Sequence, residues 1–404
     1  MIASVLLSLI AVSGVVAGWS LLARRLEQWR ITAPIFLVLA GVAASFTIER
    51  GLADALDGHV AERVAEVILA VLLFVDATDV RGGLFGKEPR SAIRMLFVAL
   101  PLSLAVAAML GWWLLPDWDW AMLVVIACVV MPIDFAPAAS ILRDERIPER
   151  VRDLLNVEGG YNDGIVSPLF IFALVLAGDT SNAVTPWDAL SSAVPQALTG
   201  IVVGIGVGAA LAVAANVAGR RGFMTGQSRR LILVAAPLLS YGLSVGVGGN
   251  GFVSAFVCGI AIRYLWHTPG IRDDLELVDD IGFLLTAAMW FVIGAVAVLA
   301  LSSVSWRVMV FCLLALTLAR VVPVAVALLG STFSWPDRLL VGWLGPRGTT
   351  SIVFGLLAFN ALDGDAAQAD TLTMVVVVVL GSVVLHGIGS PAAARAYARS
   401  HPGG

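Results

Sequence analysis

Charged side chains are scarce in this sequence. They make up 13% of 404 residues, against 59% hydrophobic residues, and the mean hydropathy is +0.94. An ordinary soluble domain is about a quarter charged, so a water-soluble globular chain is excluded. A disordered chain is excluded as well, because disorder needs low hydrophobicity and high net charge. The net charge of −4 offers no basic surface to a nucleic acid. Lysine occurs once, as Lys87, and Glu88 follows it. There is therefore no Gly-x-x-x-x-Gly-Lys-Ser/Thr phosphate loop, and a nucleotide-driven pump is excluded. Cysteine is also rare. Cys128, Cys258 and Cys312 lie in apolar runs without close spacing, which reads as packing and gives neither a disulfide framework nor a metal site. No cofactor motif is present.

What the sequence has instead is long apolar runs, at about 2–22, 32–48, 64–80, 95–115, 120–142, 156–177, 195–218, 231–247, 250–266, 281–302, 306–330, 338–360 and 371–390. A helix needs about 20 apolar residues to cross a bilayer. Thirteen such helices use roughly 270 residues and leave no room for a large soluble domain. Partners are thus membrane lipid and whatever crosses with the helices. Forty glycines fit helices that approach closely or are locally broken. The first run lacks a positive n-region and is followed by Arg24 and Arg25, so it reads as a first span and not as a cleaved signal. The narrowest break, Gly246 to Gly251, separates the eighth run from the ninth.

The distribution of basic residues orients these spans. With the N-terminus outside, the inner connections hold Arg24, Arg25 and Arg30; Arg81, Lys87, Arg90 and Arg94; Arg143, Arg146, Arg150 and Arg152; Arg220, Arg221, Arg229 and Arg230; Arg263 and Arg272; Arg338; and Arg395 and Arg399. These are twenty of the 25 basic residues. The outer connections hold only Arg50, Arg63 and Arg307, together with Asp117, Asp119, Asp179, Asp188, Asp363, Asp365 and Asp370. The positive-inside rule then predicts an inner (plasma) membrane protein with its C-terminus in the cytoplasm. Thirteen divides as six, one and six. The first and eighth spans enter from opposite sides, so the two six-helix halves are inverted repeats, a common construction in secondary transporters.

Several ionisable residues fall inside these runs, where they are costly and mark function by default. Half of a roughly 30 Å hydrocarbon core is about ten helical residues. Asp163 is ten residues beyond Asp153, Asp134 nine before Arg143, and Arg347 nine beyond Arg338. Three charges from three spans converge on one depth. Glu158 is somewhat shallower, and Asp76 and Arg320 are accessory candidates. Asp134 is flanked by Pro132 and Pro137, and Arg347 follows Gly345-Pro346. Proline removes a backbone donor and breaks a helix. These are the fifth and twelfth spans, equivalent positions in the two halves. Interrupted helices in matching positions point to a transport site, where an Asp and an Arg balance the facing helix dipoles. In the sixth span Glu158 and Asn162 share a face, while Asp163 points about 140° away. One acid can pair with a buried Arg while the other carries the ion. A desolvated carboxylate binds either a small cation or a proton, which is the minimum for exchange. His386 falls near the inner interface, and His59, His267 and His401 fall in connections or the tail.

These motifs, in order along nearly the whole chain, resemble those of the monovalent cation–proton antiporters of sodium/proton exchanger type. Glu158 to Gly164 resembles the family's Glu-x-x-x-Asn-Asp-Gly, and the Asp134 segment its unwound Thr-Asp-Pro. Gly345 to Gly348 resembles its Gly-x-Arg-Gly, and Phe74 with Asp76 the Phe and acid of its third helix. Gly249 to Gly259 and Leu385-His386-Gly387 resemble two further stretches. The resemblance implies an all-α antiporter-like fold and exchange of sodium, or of potassium or lithium, for protons. It implies Asp163 as proton and cation carrier, Asp134, Asn162 and the Ile133 carbonyl as cation contacts, and a structural ion pair of Glu158 with Arg347 or, as second choice, Arg320. It also implies a homodimer. Scaffold helices would lie in 1–94 and 181–304, core helices in 95–180 and 305–390, and a cytoplasmic tail in 391–404.

The sequence departs from the family pattern at three places. Ile133 replaces the Thr, Phe135 the Pro, and Gly159 a Ser after the Glu, so two oxygen ligands are missing. Two other readings compete. A cation channel of the same fold would need a filter-like carbonyl repeat, which is absent. A serine hydrolase would use Gly242-Leu243-Ser244-Val245-Gly246, but the strand–turn–helix context of that motif is not predicted here. The acids Asp273, Asp274, Glu276, Asp279 and Asp280 form a cluster before the tenth span, read as an inner-mouth cation attractor or a solvated turn.

Overall fold

The structure, a computed structural model, describes residues 2–29, 31–46, 59–178, 185–267, 271–302, 304–362 and 365–400. Arg30, Arg50, Asp179, Asp363 and His401, assigned above to connections or the tail, lie outside these residues. Among the described residues the chain is helical, with no strand. Counting a broken helix once, it forms α1 (Ile2–Gln28), α2 (Ala33–Ser45), α3 (His59–Asp79), α4 (Pro89–Leu114) and α5, split into α5a (Trp120–Val130) and a 3₁₀ piece α5b (Ala136–Arg143). Then come α6 (Glu149–Gly178), α7 (Pro186–Arg220), α8 (Gly226–Gly246), α9 (Gly251–Leu265) and α10 (Ile271–Ser302). The chain ends with α11 (Trp306–Ala327), α12, split into α12a (Trp335–Trp343) and α12b (Thr349–Ala361), and α13 (Asp365–Ser400).

Six helices, α4, α6, α7, α10, α11 and α13, are long and apolar enough to cross a membrane. The shorter apolar helices α2, α5a, α9 and α12b accompany them. The lipid-facing character is visible on α7, where Leu198, Ile201, Val202 and Ile205 are exposed. Trp112, Trp113, Trp120, Trp187 and Trp306 are also exposed, and all five flank connections read above as outer. Tryptophan gathers at membrane–water interfaces, because its ring is amphipathic.

Local sequence explains where the helices start, bend and stop. The narrow break between α8 and α9 is a cap: the Asn250 Oδ1 accepts from the backbone N–H groups of Phe252 and Val253. Pro168 within α6 cannot donate to the Gly164 carbonyl four residues back. Ser167 does so instead, its hydroxyl 3.1 Å from that oxygen, as buried backbone in an apolar setting requires. Ser244 of the Gly-x-Ser-x-Gly match lies inside α8 and donates its hydroxyl to the Asn250 carbonyl. It is therefore a helix-terminus tie and not part of a strand-to-helix elbow. The acids from Asp273 to Asp280 begin a helix, and do not form a turn. Asp274 is buried and accepts from Arg229 Nε at 2.8 Å, joining α10 to α8.

Close helix approach is written in glycine. On α7, a Cβ on Gly200 would lie 2.5 Å from the Asn250 carbonyl oxygen, one on Gly204 2.5 Å from that of Ser254, and one on Gly208 2.8 Å from that of Cys258. The four-residue spacing on both helices brings the backbones of α7 and α9 together, the usual route to tight packing where no water drives association. Gly206 on the same helix faces open space. Gly204→Ala is expected to destabilise the protein by about 1–3 kcal/mol through overpacking, whereas Gly206→Ala leaves stability unchanged or slightly raised. Thermal unfolding of the two purified variants in detergent measures the difference.

Candidate functional site

The functional residues converge where α5 and α12 cross. Both helices break at their prolines and glycines, and the unwound segments touch: the Asp134 N–H donates to the Pro346 carbonyl at 2.8 Å. Each break leaves half-helix ends with unpaired backbone groups. Each charged residue answers an end of the other helix. Asp134, from α5, accepts with Oδ2 from the Thr349 N–H at 2.5 Å, at the positive N-terminus of α12b. Its Oδ1 accepts from the Ala136 N–H at 2.7 Å and so caps its own segment. Arg347, from α12, donates with Nε to the Val130 carbonyl at 2.6 Å, at the negative C-terminus of α5a. It also donates with Nη1 to the Gly345 carbonyl, and its backbone N–H reaches the Ser382 hydroxyl at 2.6 Å. The pair balances facing dipoles as the sequence predicts, with the refinement that each caps the opposite half. A Cβ on Gly348 would lie 2.5 Å from Asp134 Oδ2, so only glycine admits this contact.

The Glu158 partner corrects a sequence expectation. Glu158 pairs with Arg320 and not with Arg347: Nη1 and Nη2 of Arg320 donate to Oε1 and Oε2 at 2.6 and 2.9 Å. Both side chains are buried. Arg320 Nη2 also reaches the Val341 carbonyl near the end of α12a at 3.3 Å. The physical reason is that Arg347 is anchored by Nε and Nη1 to the Val130 and Gly345 carbonyls at the crossing. Arg320, on α11, presents a planar fork that fits a carboxylate bidentately. A Cβ on Gly345 would fall 2.0 Å from Arg320 Nε, so the glycine of the broken segment makes room for the guanidinium.

Asp163 lies at the centre, 3% exposed. Its Oδ2 accepts from the Thr350 hydroxyl at 2.5 Å, while Oδ1 is buried with no partner. Asn162 accepts from the Asp163 N–H at 2.6 Å and donates with Nδ2 to the Ile133 carbonyl at 2.9 Å. It therefore ties α6 to the unwound segment of α5. Asp76, on α3, is half-buried, and its carboxylate feels the charges of Asp163 and Asp134. Three carboxylates from three helices thus share one electrostatic neighbourhood. Gly159 and Phe135, two of the departures noted above, are steric partners: a Cβ on Gly159 would lie 3.0 Å from the Phe135 ring. The phenyl ring covers the place where a serine side chain would begin.

Of the residues singled out from the sequence, the structure brings Asp163, Asp134, Asn162, Ile133, Glu158, Arg320 and Arg347 together in this region. It missed Thr349, Thr350 and Ser382. The available signal was three consecutive hydroxyl residues, Thr349-Thr350-Ser351, directly after a helix break. Trp290 of α10 donates to the Thr349 hydroxyl at 3.2 Å, and His386, buried in α13, hydrogen-bonds Ser382 at 3.1 Å. His386 is therefore a packed member of the crossing's support.

With this geometry in view, comparison with known proteins gives one answer. Residues 9–395 match the family described as "Sodium/hydrogen exchanger, transmembrane". The chain belongs to that family and is a multi-pass membrane protein. A Na(+)/H(+) antiporter of Schizosaccharomyces pombe is 25% identical over 360 residues, covering 80% of this chain and 75% of that protein. The K(+)/H(+) antiporter NhaP2 of Shewanella sp. (strain MR-4) is 24% identical over 343 residues, covering 84% of this chain and 58% of that protein. The chain thus spans little more than half the length of the bacterial relative. The fold matches the sodium proton antiporter MjNhaP1 from Methanocaldococcus jannaschii with a TM-score of 0.81 at 18% identity, over 97% of this chain and 99% of that one.

Removing one member of the buried pair strands a charge. Arg320→Met is expected to lower stability by about 3–5 kcal/mol, and Glu158→Leu combined with Arg320→Met to recover most of the loss. A double-mutant cycle on thermal unfolding in detergent checks this. Additive single losses would show that the pair is not coupled.

Proposed function

We propose that this chain is a secondary transporter that exchanges a monovalent cation for protons, with Asp163 holding one or the other. The observation that carries the reading is the Asp163 carboxylate. It is buried at the crossing of two broken helices, with one oxygen free of partners, in a chain of the exchanger family. A carboxylate removed from water holds a proton more readily than one in solution, and a bound cation displaces that proton. Asp134, Asn162 and the Ile133 carbonyl supply further oxygens, and Asp76 adds negative charge to the approach. The Glu158–Arg320 pair is structural. Asn162 is held from both ends, so it orients α6 against α5 while Asp163 changes its load.

Sodium is the first choice of cation, with potassium or lithium as alternatives, since relatives named for sodium and for potassium resemble the chain to similar extents. We further place the protein in the plasma (inner) membrane as a homodimer, N-terminus outside. Scaffold helices lie in 1–94 and 181–304, and moving core helices in 95–180 and 305–390. A second reading, an antiporter fold carrying another cargo, draws on Ile133, Phe135 and Gly159, which remove hydroxyl oxygens from the α5–α6 side.

The test is cation-driven dissipation of a proton gradient in inside-out vesicles. Sodium, lithium and potassium are added separately, with Asp163→Asn beside the wild type. One cation is expected to collapse the gradient with the wild type, and the variant to lose at least about a hundredfold in rate, since it can neither carry a proton nor hold a charge-paired cation. No response of the wild type to any of the three, across pH, overturns monovalent cation exchange and leaves the second reading.

A further inference from the structure

We propose that Thr350 supplies a hydroxyl ligand to the transported cation and thereby sets the cation affinity of the Asp163 site; this rests on the exchange reading above.

Asp163 is the carrying carboxylate on that reading, and the side-chain hydrogen bond it makes comes from the opposite half of the molecule. The Thr350 hydroxyl, in the first turn of α12b, donates to Oδ2 at 2.5 Å. Thr350 is 3% exposed, and Asp163 likewise. A hydroxyl has one hydrogen and two lone pairs. With its hydrogen directed at Oδ2, the Thr350 oxygen keeps acceptor capacity for a cation, and Oδ1 of the same carboxylate is buried with no partner. Two oxygens, one charged and one neutral, are therefore available side by side on groups already bonded to each other. Small hard cations take oxygen ligands of this kind.

Besides Asp163, the oxygens that the α5–α6 side brings to the shell are each already hydrogen-bonded within the protein, and none is a hydroxyl. Ile133 has no side-chain oxygen, and its carbonyl already accepts from Asn162 Nδ2. Asn162 Oδ1 accepts from the Asp163 N–H. Gly159 has no hydroxyl, and the Phe135 ring stands 3.0 Å from where its Cβ would be. Asp134 has both carboxylate oxygens engaged by the backbone of Ala136 and Thr349. The Thr349 hydroxyl accepts from Trp290 Nε1. Thr350 is thus the neutral side-chain oxygen that touches the carrier. Ser351, the next residue, has a buried hydroxyl without a partner, which marks the first turn of α12b as a polar surface with unused capacity.

Its position also couples the two halves of the molecule. The same two residues bridge both carboxylates: Thr349 through its N–H to Asp134, and Thr350 through its hydroxyl to Asp163. A cation bound at Asp163 would then be gripped between α6 and α12b and not by α6 alone.

The experiment compares wild type with Thr350→Val, which keeps shape and removes the hydroxyl, and Thr350→Ser, which keeps the hydroxyl. Two readouts are used: the cation concentration for half-maximal antiport in proteoliposomes, and the cation concentration that half-raises the melting temperature of detergent-purified protein. Thr350→Val is expected to raise both about tenfold, with the maximal antiport rate within about threefold of wild type, and Thr350→Ser to restore both to within about twofold. A ligand hydrogen-bonded to a charged group is worth about a factor of ten or more. If the Val variant does not fold, Thr350→Cys carries the test, because a thiol preserves a weak donor but is a soft and poor ligand for a hard cation. An unchanged half-maximal concentration in folded Thr350→Val, or in Thr350→Cys, overturns the proposal while leaving antiport intact. A wild type that responds to no cation in either readout overturns the exchange reading and this inference with it.

Discussion

A helix broken in an apolar interior exposes backbone groups that water cannot reach, and every other feature of the site depends on how those groups are satisfied. Here the solution is reciprocal. The α5 break supplies Asp134 to the N-terminus of α12b, and the α12 break supplies Arg347 to the C-terminus of α5a. Neither charge is buried without a compensating dipole of opposite sign. The arrangement needs glycine at 348, because any side chain there would collide with the Asp134 carboxylate. It also needs Ser382 of α13 to accept the Arg347 N–H. A single crossing therefore fixes the relative positions of α5, α12 and α13.

That economy determines where the other charges go. Arg347 is anchored through Nε and Nη1 to the Val130 and Gly345 carbonyls, and Glu158 is bonded by the two-pronged fork of Arg320. The result is a division between two layers. One holds the Glu158–Arg320 pair, whose bidentate contact and Val341 carbonyl tie α6, α11 and α12a. The other holds Asp163, which has no cationic partner in hydrogen-bond contact and only a hydroxyl on one oxygen. A carboxylate neutralised by an arginine would have little use for a mobile cation. The pairing of Glu158 elsewhere is what leaves Asp163 open.

Much of this was legible in the sequence, and the reasons differ between elements. The broken helices were legible because helix breakers cluster there: Pro132 and Pro137 bracket Asp134, and Gly345-Pro346 precede Arg347, whereas the single Pro168 leaves α6 continuous. The convergence of Asp163, Asp134 and Arg347 was legible because rise per residue is fixed, so counting from the charged ends puts the three at one level. The partner of Glu158 was not, because Arg320 and Arg347 lie in different helices and their choice depends on which backbone carbonyls each meets. Thr350 was passed over for the same reason. A hydroxyl at the start of a helix reads as a capping residue, and only the fold shows that it faces a carboxylate 187 positions away in sequence. The compensation between Gly159 and Phe135 was likewise hidden. Read one at a time they are two lost ligands; in space they are one phenyl ring covering one missing side chain.

The same bonds constrain how the site can move. Asp163 is held to α12b, Asn162 to the unwound part of α5, and Asp134 to the first residue of α12b. Sliding α6 alone past α5 and α12 would break the first two, and sliding α5 past α12 the third, leaving buried polar atoms unpaired, each at a cost of about 1–3 kcal/mol. Moving α5, α6 and α12 together with α11 and α13 as one body breaks none of them and also keeps the Glu158–Arg320 and Arg347–Ser382 contacts. The surfaces such a body would slide against are those of α3 and α9. There Gly160 of α6 lets the Asp76 carbonyl approach to within 2.9 Å of its Cβ position, and Gly164 meets the Phe256 ring. Asn156 of α6 adds hydrogen bonds to the Asp79 carbonyl and the Arg81 N–H at the end of that face, and among the described residues no ion pair joins α6 to α3 or α9. On the exchange reading, alternating exposure of Asp163 is therefore least costly as a rigid displacement of the crossing over a smooth, glycine-lined face. The polar network then serves to keep the carrier and its ligands together throughout that displacement.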